Sequence, residues 1–129
     1  MNSRQLALRI LKACEDKKGV NPLIIDIRKL TDIADYFILV NGASDRHVRT
    51  IADGIVESLE SSGIEPLHRE GMNEAKWVLI DYGAVMAHVF YYETRRFYNL
   101  ERLWGDGKII KPRQKHAKPL KRTRRSSIA

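Results

Sequence analysis

The chain has 129 residues, of which 43% are hydrophobic, and this is enough for one domain with a buried core. No apolar run approaches the roughly 20 residues that a membrane helix needs, and the N-terminus is typical of an amphipathic helix rather than a leader peptide. The single cysteine, Cys14, excludes an internal disulfide and favours a cytoplasmic protein.

The formal net charge of +7 is distributed unevenly. Residues 108–129 contain nine of the 23 Lys and Arg residues and no acid, whereas the first 107 residues hold 14 basic and 16 acidic residues. The body is therefore mildly acidic, and the basicity that suggests nucleic-acid binding belongs to the tail alone. Because the tail is rich in Lys, Arg and Pro, we expect residues 108–129 to be disordered or to become ordered only on a partner.

The first predicted element is a helix over about residues 5–17, because its apolar residues recur every three or four positions. Asn2 or Ser3 is the expected N-cap, and Gly19 is placed for the C-cap. Cys14 falls on the apolar side of this helix, which indicates a buried structural thiol rather than a nucleophile.

Two strands and a second helix follow. The β-branched run at 23–28 predicts a strand, and the almost wholly apolar run at 36–41 predicts a central strand buried on both faces. A helix over about 45–62 has the clearest period in the sequence, with Ser44 as its N-cap and Gly63 as its stop.

The last third of the body predicts a short edge strand, a hairpin and a helix. Pro66 weakens the strand at 64–70, which places it near an edge. The segments 76–81 and 84–92 form the hairpin, and 94–104 the final helix. The order of elements predicts an α/β fold, a mixed β-sheet with flanking helices, in which the second helix joins parallel strands.

The sequence gives little support for a metal site or a catalytic nucleophile. None of the four histidines pairs with another ligand at metal-binding spacing; they are His47, His68, His88 and His116. There is no G-x-S-x-G turn, and N-capping accounts for Ser44 without a catalytic role.

A phosphate site at "VNGASDRHV" is the more serious alternative, since Gly42 and Ser44 precede a helix N-terminus. However, the segment lacks a P-loop lysine, and Asp45 would repel an anion. A nucleotidyltransferase also needs neighbouring carboxylates for magnesium, whereas Asp26 and Asp81 each stand alone on their strands. Ordinary helix capping is therefore favoured over a nucleotide site.

The hairpin "WVLIDYGAVMAHVF" separates its side chains by alternation. Trp77, Leu79 and Asp81 share one face. In the second strand Val85, Ala87 and Val89 are typical of a core face, whereas Met86, His88 and Phe90 suggest a half-exposed contact surface. A core strand with one satisfied histidine fits this pattern equally well, and Trp77 fits either the core or a contact.

Several segments in combination resemble the iojap-like ribosomal silencing factors, bacterial family S. The similarity covers about residues 3–107 and rests on D-x-R at 26–28, "TDIADYF" at 31–37, G-x-S-x-x-H at 42–47, W-x-x-x-D-Y-G at 77–83, "HVF" at 88–90 and "FYNLERLW" at 97–104. The family usually has an acid after the turn glycine, where this chain has Ala84, and the basic tail lies outside the shared region.

The resemblance implies a non-enzymatic repressor of translation that needs no cofactor or metal. Such a protein binds large-subunit ribosomal protein fourteen, sterically blocks association with the small subunit and acts under nutrient limitation; homodimers are seen in the family. The implied fold is nucleotidyltransferase-like without the catalytic carboxylates. The candidate partner-binding residues are Trp77, Asp81, Tyr82, His88, Phe90, Glu70, Glu74, Arg96 and Tyr98.

Among these residues, Trp77 with Phe90 or Tyr98 is expected to provide aromatic anchors, and the acids are expected to meet basic groups of the partner. Two other functions stay open at this point. One is a residual nucleotidyltransferase that uses Gly42, Ser44 and Asp81. The other is an RNA-binding module that acts through the basic tail.

Overall fold

The computed structural model describes residues 1–93 and 108–110. In chain order the elements are α1 (Ser3–Asp16), β1 (Val20–Asp26), β2 (Tyr36–Gly42), α2 (Asp45–Glu60), β3 (His68–Glu70), β4 (Trp77–Asp81), β5 (Val85–Tyr91) and β6 (Lys108–Ile110). No helix within these ranges is long and apolar enough to cross a membrane.

The strands form one sheet in the order β3-β4-β5-β2-β1-β6. β2 and β5 are parallel, and the other neighbouring pairs are antiparallel. α2 lies between β2 and β5 in the chain and belongs to the crossover that joins them, as the sequence predicts. The predicted hairpin is β4–β5, and the predicted edge strand is β3. The mixed α/β fold class is therefore confirmed.

The two faces of the sheet differ in what covers them. α1 and α2 pack on one face, which we call the inner face, and buried side chains of both helices and the sheet form one cluster there. On the opposite, outer face a second cluster of buried residues contains Ile25, Ile27, Ala34, Phe37, Leu39 and Phe90. β2 contributes to both clusters, because residues 36–40 are all buried, which confirms the predicted central strand.

Both helices begin with the expected side-chain caps. The Asn2 side chain accepts the backbone N–H of Gln5 at 2.8 Å, and the Gln5 side chain returns a bond to the Asn2 N–H at 3.0 Å. Ser44 Oγ accepts the His47 N–H at 3.1 Å at the start of α2. Gly63, with φ of 77°, follows α2 where the stop was predicted.

The end of α1 differs from the prediction in one respect. The left-handed position is taken by Lys18, with φ of 60°, and not by Gly19. The Lys18 and Gly19 N–H groups donate to the carbonyls of Glu15 and Cys14 at 2.9 and 2.8 Å, which is the Schellman pattern. Glycine is needed at 19 for space, since a Cβ there would lie 2.5 Å from Val40 Cγ2. Cys14 is fully buried, as predicted.

The boundary of the ordered sheet also differs from the prediction. Residues 108–110 were assigned to the disordered tail, but they form β6 and pair with β1, with Lys108 opposite Asp26 and Ile110 opposite Ile24. A three-residue strand carries too little pattern of its own to be recognised, because it depends on the free edge of a strand more than 80 residues earlier in the chain. The predicted helix at 94–104 and residues 111–129 lie outside the described residues.

Candidate partner-binding surface

The outer face of β4 presents a row of half-buried side chains. Trp77, Leu79 and Asp81 are all partly exposed there, whereas the alternate residues Val78 and Ile80 are fully buried under the helices. This is the alternation that the sequence predicts. We call Trp77, Leu79 and Asp81 the β4 row.

The β4 row is bordered by the edge strand β3. The register places His68 opposite Asp81 and Glu70 opposite Leu79, so both β3 side chains lie on the outer face beside the row. His68 and Glu70 are exposed and form a bond of 2.6 Å between Nε2 and Oε2. Glu74 is exposed in the loop between β3 and β4. An apolar and acidic strip therefore runs along this edge of the sheet.

Trp77 belongs both to the core and to the surface. Its indole N–H donates to Nδ1 of His88 at 3.1 Å, and its ring lies 5.1 Å from the Phe90 ring. Because an indole nitrogen can only donate, the Nδ1 atom of His88 is the acceptor. The bond and the ring contact hold Trp77 in one orientation, while part of its side chain stays exposed.

The second strand of the hairpin corrects an expectation. Val85, Ala87 and Val89 are fully buried on the inner face, as predicted. Met86 is half-buried, but His88 is only 6% exposed and Phe90 is 0% exposed, so the prediction of half-exposure is wrong for these two. The reason is that β5 is an interior strand, flanked by β2 and β4. Phe37, on β2, contacts the His88 ring edge-on at 4.7 Å.

The candidate Tyr82 also lies away from the surface. It is 9% exposed and belongs to the inner-face cluster, and its buried hydroxyl has no hydrogen-bond partner among residues 1–93 and 108–110. Burial raises the pKa of Tyr82 to about 12, and Glu60 adds to the rise while Arg69 opposes it. Tyr82 therefore packs beneath the hairpin turn rather than on the outer face.

Asp81 has a structural task within the hairpin turn. Its Oδ1 atom accepts the Gly83 N–H at 2.7 Å, which stabilises the turn between β4 and β5. The Ala84 carbonyl accepts N–H groups from Asp35 and Tyr36 at 2.7 and 3.2 Å, so the backbone at this position ties the turn to the start of β2. Only one carboxylate oxygen of Asp81 is engaged by the turn, and the residue stays half-exposed.

Two candidates, Arg96 and Tyr98, lie outside the described residues.

The sequence analysis did not include Leu79 among the candidate binding residues. The alternation places Leu79 beside Trp77 and Asp81, but an aliphatic side chain in a strand usually belongs to the core. The exposed Leu67, at 74%, precedes β3 at the same edge of the sheet. Pro66, from which the sequence predicts an edge strand, was the available signal for this edge of the sheet.

The G-x-S-x-x-H segment is explained by packing. A Cβ at Gly42 would lie 2.7 Å from Val48 Cγ2 and 2.8 Å from the Val48 nitrogen, so only glycine fits. Ser44 caps α2. His47 accepts the Ala43 N–H through Nδ1 at 2.9 Å, so its Nε2 carries the proton and donates to the Lys17 carbonyl at 2.8 Å.

The two bonds of His47 connect the end of α1 with the start of α2. Packing, capping and these bonds account for Gly42, Ser44 and His47 without a bound phosphate. No group of three or more His, Cys, Asp or Glu side chains lies close enough to hold a metal within residues 1–93.

The comparisons with known proteins identify the family of the chain. The profile of the family described as "Ribosomal silencing factor during starvation" (RsfS) matches residues 1–129. The chain belongs to this family. The RsfS profile thus extends over the basic tail as well as the body, which is more than the 3–107 range of the resemblance.

Curated RsfS proteins are similar over most of their length. "Ribosomal silencing factor RsfS" of Bacillus subtilis is 39% identical over 109 residues, which cover 84% of this chain and 92% of that protein. The RsfS protein of Chromobacterium violaceum is 32% identical over 108 residues, covering 84% and 88%. Among plant proteins, "Protein Iojap-related, mitochondrial" of Arabidopsis thaliana is 32% identical over 73% of this chain and 53% of its own length.

Solved structures of similar sequence share the fold. A crystal structure of a Chromobacterium violaceum protein superposes with a TM-score of 0.79 at 32% identity, covering 81% of this chain and 88% of that one. A Bacillus halodurans structure gives a TM-score of 0.76 at 32% identity, covering 84% and 99%. The present chain therefore has the fold of these RsfS-like structures. Because the chain belongs to the RsfS family, it takes part in the regulation of translation at the ribosome.

Proposed function

We propose that this protein binds the large ribosomal subunit through ribosomal protein fourteen and sterically prevents the small subunit from joining. Translation would fall in consequence when nutrients are limiting, in keeping with the word "starvation" in the family description. The proposed action is that of a non-enzymatic adaptor working in the cytoplasm, where the subunits are found.

The β4 row is the observation that carries the proposal. Trp77 and Leu79 offer apolar surface on a sheet face that α1 and α2 leave free, and Asp81 continues the row with a carboxylate. Interfaces usually combine a few aromatic or aliphatic anchors with a polar rim, and the rim tunes the rate and the specificity of association. An apolar strip edged by Glu70, Glu74 and Asp81 suits a basic protein surface.

The charge balance of the body supports the same partner. The first 107 residues carry 14 basic and 16 acidic residues, so this part of the sequence has no net positive charge with which to bind bare RNA. A protein component of the subunit is therefore the better match for the outer face.

Sedimentation through sucrose gradients with separated ribosomal subunits tests the proposal. We expect the full-length protein to migrate with large subunits and not with small ones. Leu79→Ala should weaken this binding at least tenfold, since a central anchor contributes on the order of 1–2 kcal/mol or more. Leu8→Ala is the matched control, because Leu8 is exposed on α1, on the other side of the sheet. The affinity of this variant for large subunits should lie within twofold of that of the parent.

A charge reversal at the rim is a second, independent test of the docking surface. Glu70→Lys should reduce the association rate with large subunits, whereas Glu57→Lys, on the exposed face of α2, should leave it unchanged. Equal behaviour of these two variants, together with normal binding by Leu79→Ala, would mean that the outer face is not the docking surface.

The steric step needs its own measurement. When small subunits are added to large subunits preincubated with the protein, we expect fewer joined ribosomes, and Leu79→Ala should restore joining. Protein found on joined ribosomes in the same amount as on free large subunits would exclude a steric block. The sedimentation rate of the unbound protein tests whether it forms the homodimer that the resemblance implies.

No observation favours a residual nucleotidyltransferase, since packing and capping explain Gly42 and Ser44. Thermal denaturation with nucleoside triphosphates and magnesium is the direct test. A rise in Tm that Asp81→Asn abolishes would argue for a nucleotide site, and Asn keeps an oxygen that can accept the Gly83 N–H.

A further inference from the structure

β3 lies at one end of the strand order, and among the described strands it pairs with β4 alone. Its three residues, His68–Glu70, are all exposed, and Leu67 just before them is 74% exposed. An edge strand keeps unpaired N–H and C=O groups on its free side. Within the described part of the chain, the free side of β3 is therefore a backbone surface that is open to another strand.

The hydrogen bonds of β4 determine which backbone groups of β3 face outward. The Tyr91 N–H donates to the Lys76 carbonyl at 2.9 Å, so the even-numbered residues of β4 direct their backbone groups towards β5. The odd-numbered residues Leu79 and Asp81 therefore direct theirs towards β3. In agreement with this, the Asp81 carbonyl accepts the Leu67 N–H at 2.8 Å.

Arg69 is the β3 residue whose backbone groups point away from the sheet. His68 and Glu70 lie opposite the odd-numbered residues of β4, so their N–H and C=O groups face β4. Arg69 lies between them, and because backbone direction alternates along a strand, its N–H and C=O face the free edge. Its side chain turns to the inner face, where the guanidinium lies 3.8 Å from the Asp53 carboxylate of α2.

The charges beside this edge are acidic on balance. Glu65, Glu70 and Glu74 are exposed, whereas the guanidinium of Arg69 is already paired with a carboxylate of α2. Charged side chains next to an edge strand discourage its pairing with arbitrary strands. Because like charges repel, these acids select against acidic strands and favour one that carries Lys or Arg.

A strand added along β3 would lie close to the β4 row. It would be two strand positions from β4, a separation of about 10 Å at about 4.8 Å for each step. Alternate side chains of the added strand would lie next to His68 and Glu70 on the outer face. One protein partner can therefore pair with the edge and contact the β4 row at the same time.

We propose that a basic, extended segment of the ribosomal protein pairs with the free edge of β3 through the N–H and C=O groups of Arg69 and so continues the sheet. This inference rests on the proposed function and specifies how the partner is held. In strand addition of this kind, main-chain hydrogen bonds supply affinity, and the neighbouring side chains supply specificity.

Two substitutions at one position separate the backbone of Arg69 from its side chain. Arg69→Pro removes the outward N–H and the guanidinium, whereas the matched control Arg69→Gln removes the guanidinium alone. Because an edge strand tolerates proline where the N–H faces solvent, the two variants should have nearly the same urea midpoint. Glu70→Pro removes an N–H that faces β4 and should have a clearly lower midpoint. Equal destabilisation by the two proline variants would show that the Arg69 N–H is engaged within the sheet and would overturn the proposal.

Binding of the full-length variants to purified large subunits is the decisive measurement. Arg69→Gln should bind within about threefold of the parent, since it changes one charge at the rim. Arg69→Pro should bind at least about tenfold more weakly than Arg69→Gln, because a carbonyl of the partner strand loses its donor. Amide hydrogen exchange of residues 68–70 in the parent should also slow on binding. Equal affinities of the two Arg69 variants, or unchanged exchange, would overturn strand addition.

The outcomes separate this inference from the proposed function. Normal binding by Leu79→Ala would count against the proposed function. Weak binding by Leu79→Ala together with equal binding by Arg69→Pro and Arg69→Gln would overturn strand addition alone. A second copy of the chain is the other occupant that the edge could accept. If Arg69→Pro abolished self-association in sedimentation but bound large subunits as Arg69→Gln does, the edge would belong to a dimer and the proposal would be wrong.

Discussion

Replacing Trp77 by Phe isolates the contribution of one hydrogen bond to the candidate surface. The indole N–H donates to His88 Nδ1 at 3.1 Å, and His88 is 6% exposed, whereas most of the ring packing against Phe90 can be kept by a phenyl group. Removing one donor at a buried acceptor costs about 1–2 kcal/mol of unfolding free energy. For a domain of this size that corresponds to a Tm lower by roughly 5–9 °C.

Urea unfolding followed by far-UV circular dichroism is the appropriate assay, because fluorescence would change with the loss of the indole itself. The slope of the transition should be unchanged and the midpoint should fall. Trp77→Ala, which also removes the ring contact with Phe90, should cost about 3 kcal/mol, at the low end for a large aromatic because Trp77 is half-buried. Its binding must therefore be measured at a temperature where it is folded.

An unchanged urea midpoint for Trp77→Phe would refute the argument that the bond to His88 holds Trp77 in place. The two variants also divide the role of the side chain in binding. If the exposed part of the ring is the anchor, Trp77→Phe should bind large subunits within a few fold of the parent, while Trp77→Ala should bind at least tenfold more weakly.

Three further predictions concern the packing of the domain. Gly42→Ala should lower the unfolding free energy by about 3 kcal/mol, because its Cβ would lie 2.8 Å from the Val48 nitrogen; urea titration checks this, and parental stability would argue against the packing explanation. Tyr82→Phe should be at least as stable as the parent at pH 8, since it removes a buried hydroxyl that has no partner in the described part of the chain. Burial holds the pKa of Tyr82 at about 12, above the value near 10 of an unfolded tyrosine. The unfolding free energy of the parent should therefore fall as pH rises from 10 towards 12, and that of Tyr82→Phe should fall less. Equal falls in the two proteins would contradict this. Burial also raises the pKa of Cys14 to about 12, so a thiol reagent at pH 8 should label Cys14 only when urea unfolds the chain, and rapid labelling of the native protein would show that the thiol is accessible.

Local patterns predicted most of the secondary structure, because the signals for helices and hairpins are contained within a few residues. The caps at Asn2 and Ser44 satisfy N–H groups three residues ahead, and the period of α2 appears within a single helix. The alternation of Trp77 to Asp81 correctly assigned each side chain of β4 to one of the two faces.

The candidate site was only partly predictable. Alternation tells which side chains share a face but not how deeply a strand lies within the sheet, so His88 and Phe90 were expected at a surface and are buried. Tyr82 is outside any strand pattern, and only the tertiary structure shows that it belongs to the buried inner-face cluster.

The sequence by itself determined α1, α2, the central strand and the hairpin, since each depends on the periodicity or capping of a continuous segment. It also contained the motifs by which the chain resembles the ribosomal silencing factors and the separation of an acidic body from a basic tail. The tertiary structure alone decided that β6 joins β1, that Gly42 leaves room for Val48 and that Trp77 bonds to His88. The physical reason is that these features arise between segments distant in the chain or folded back on one another, and their contact surfaces exist only once the sheet has assembled.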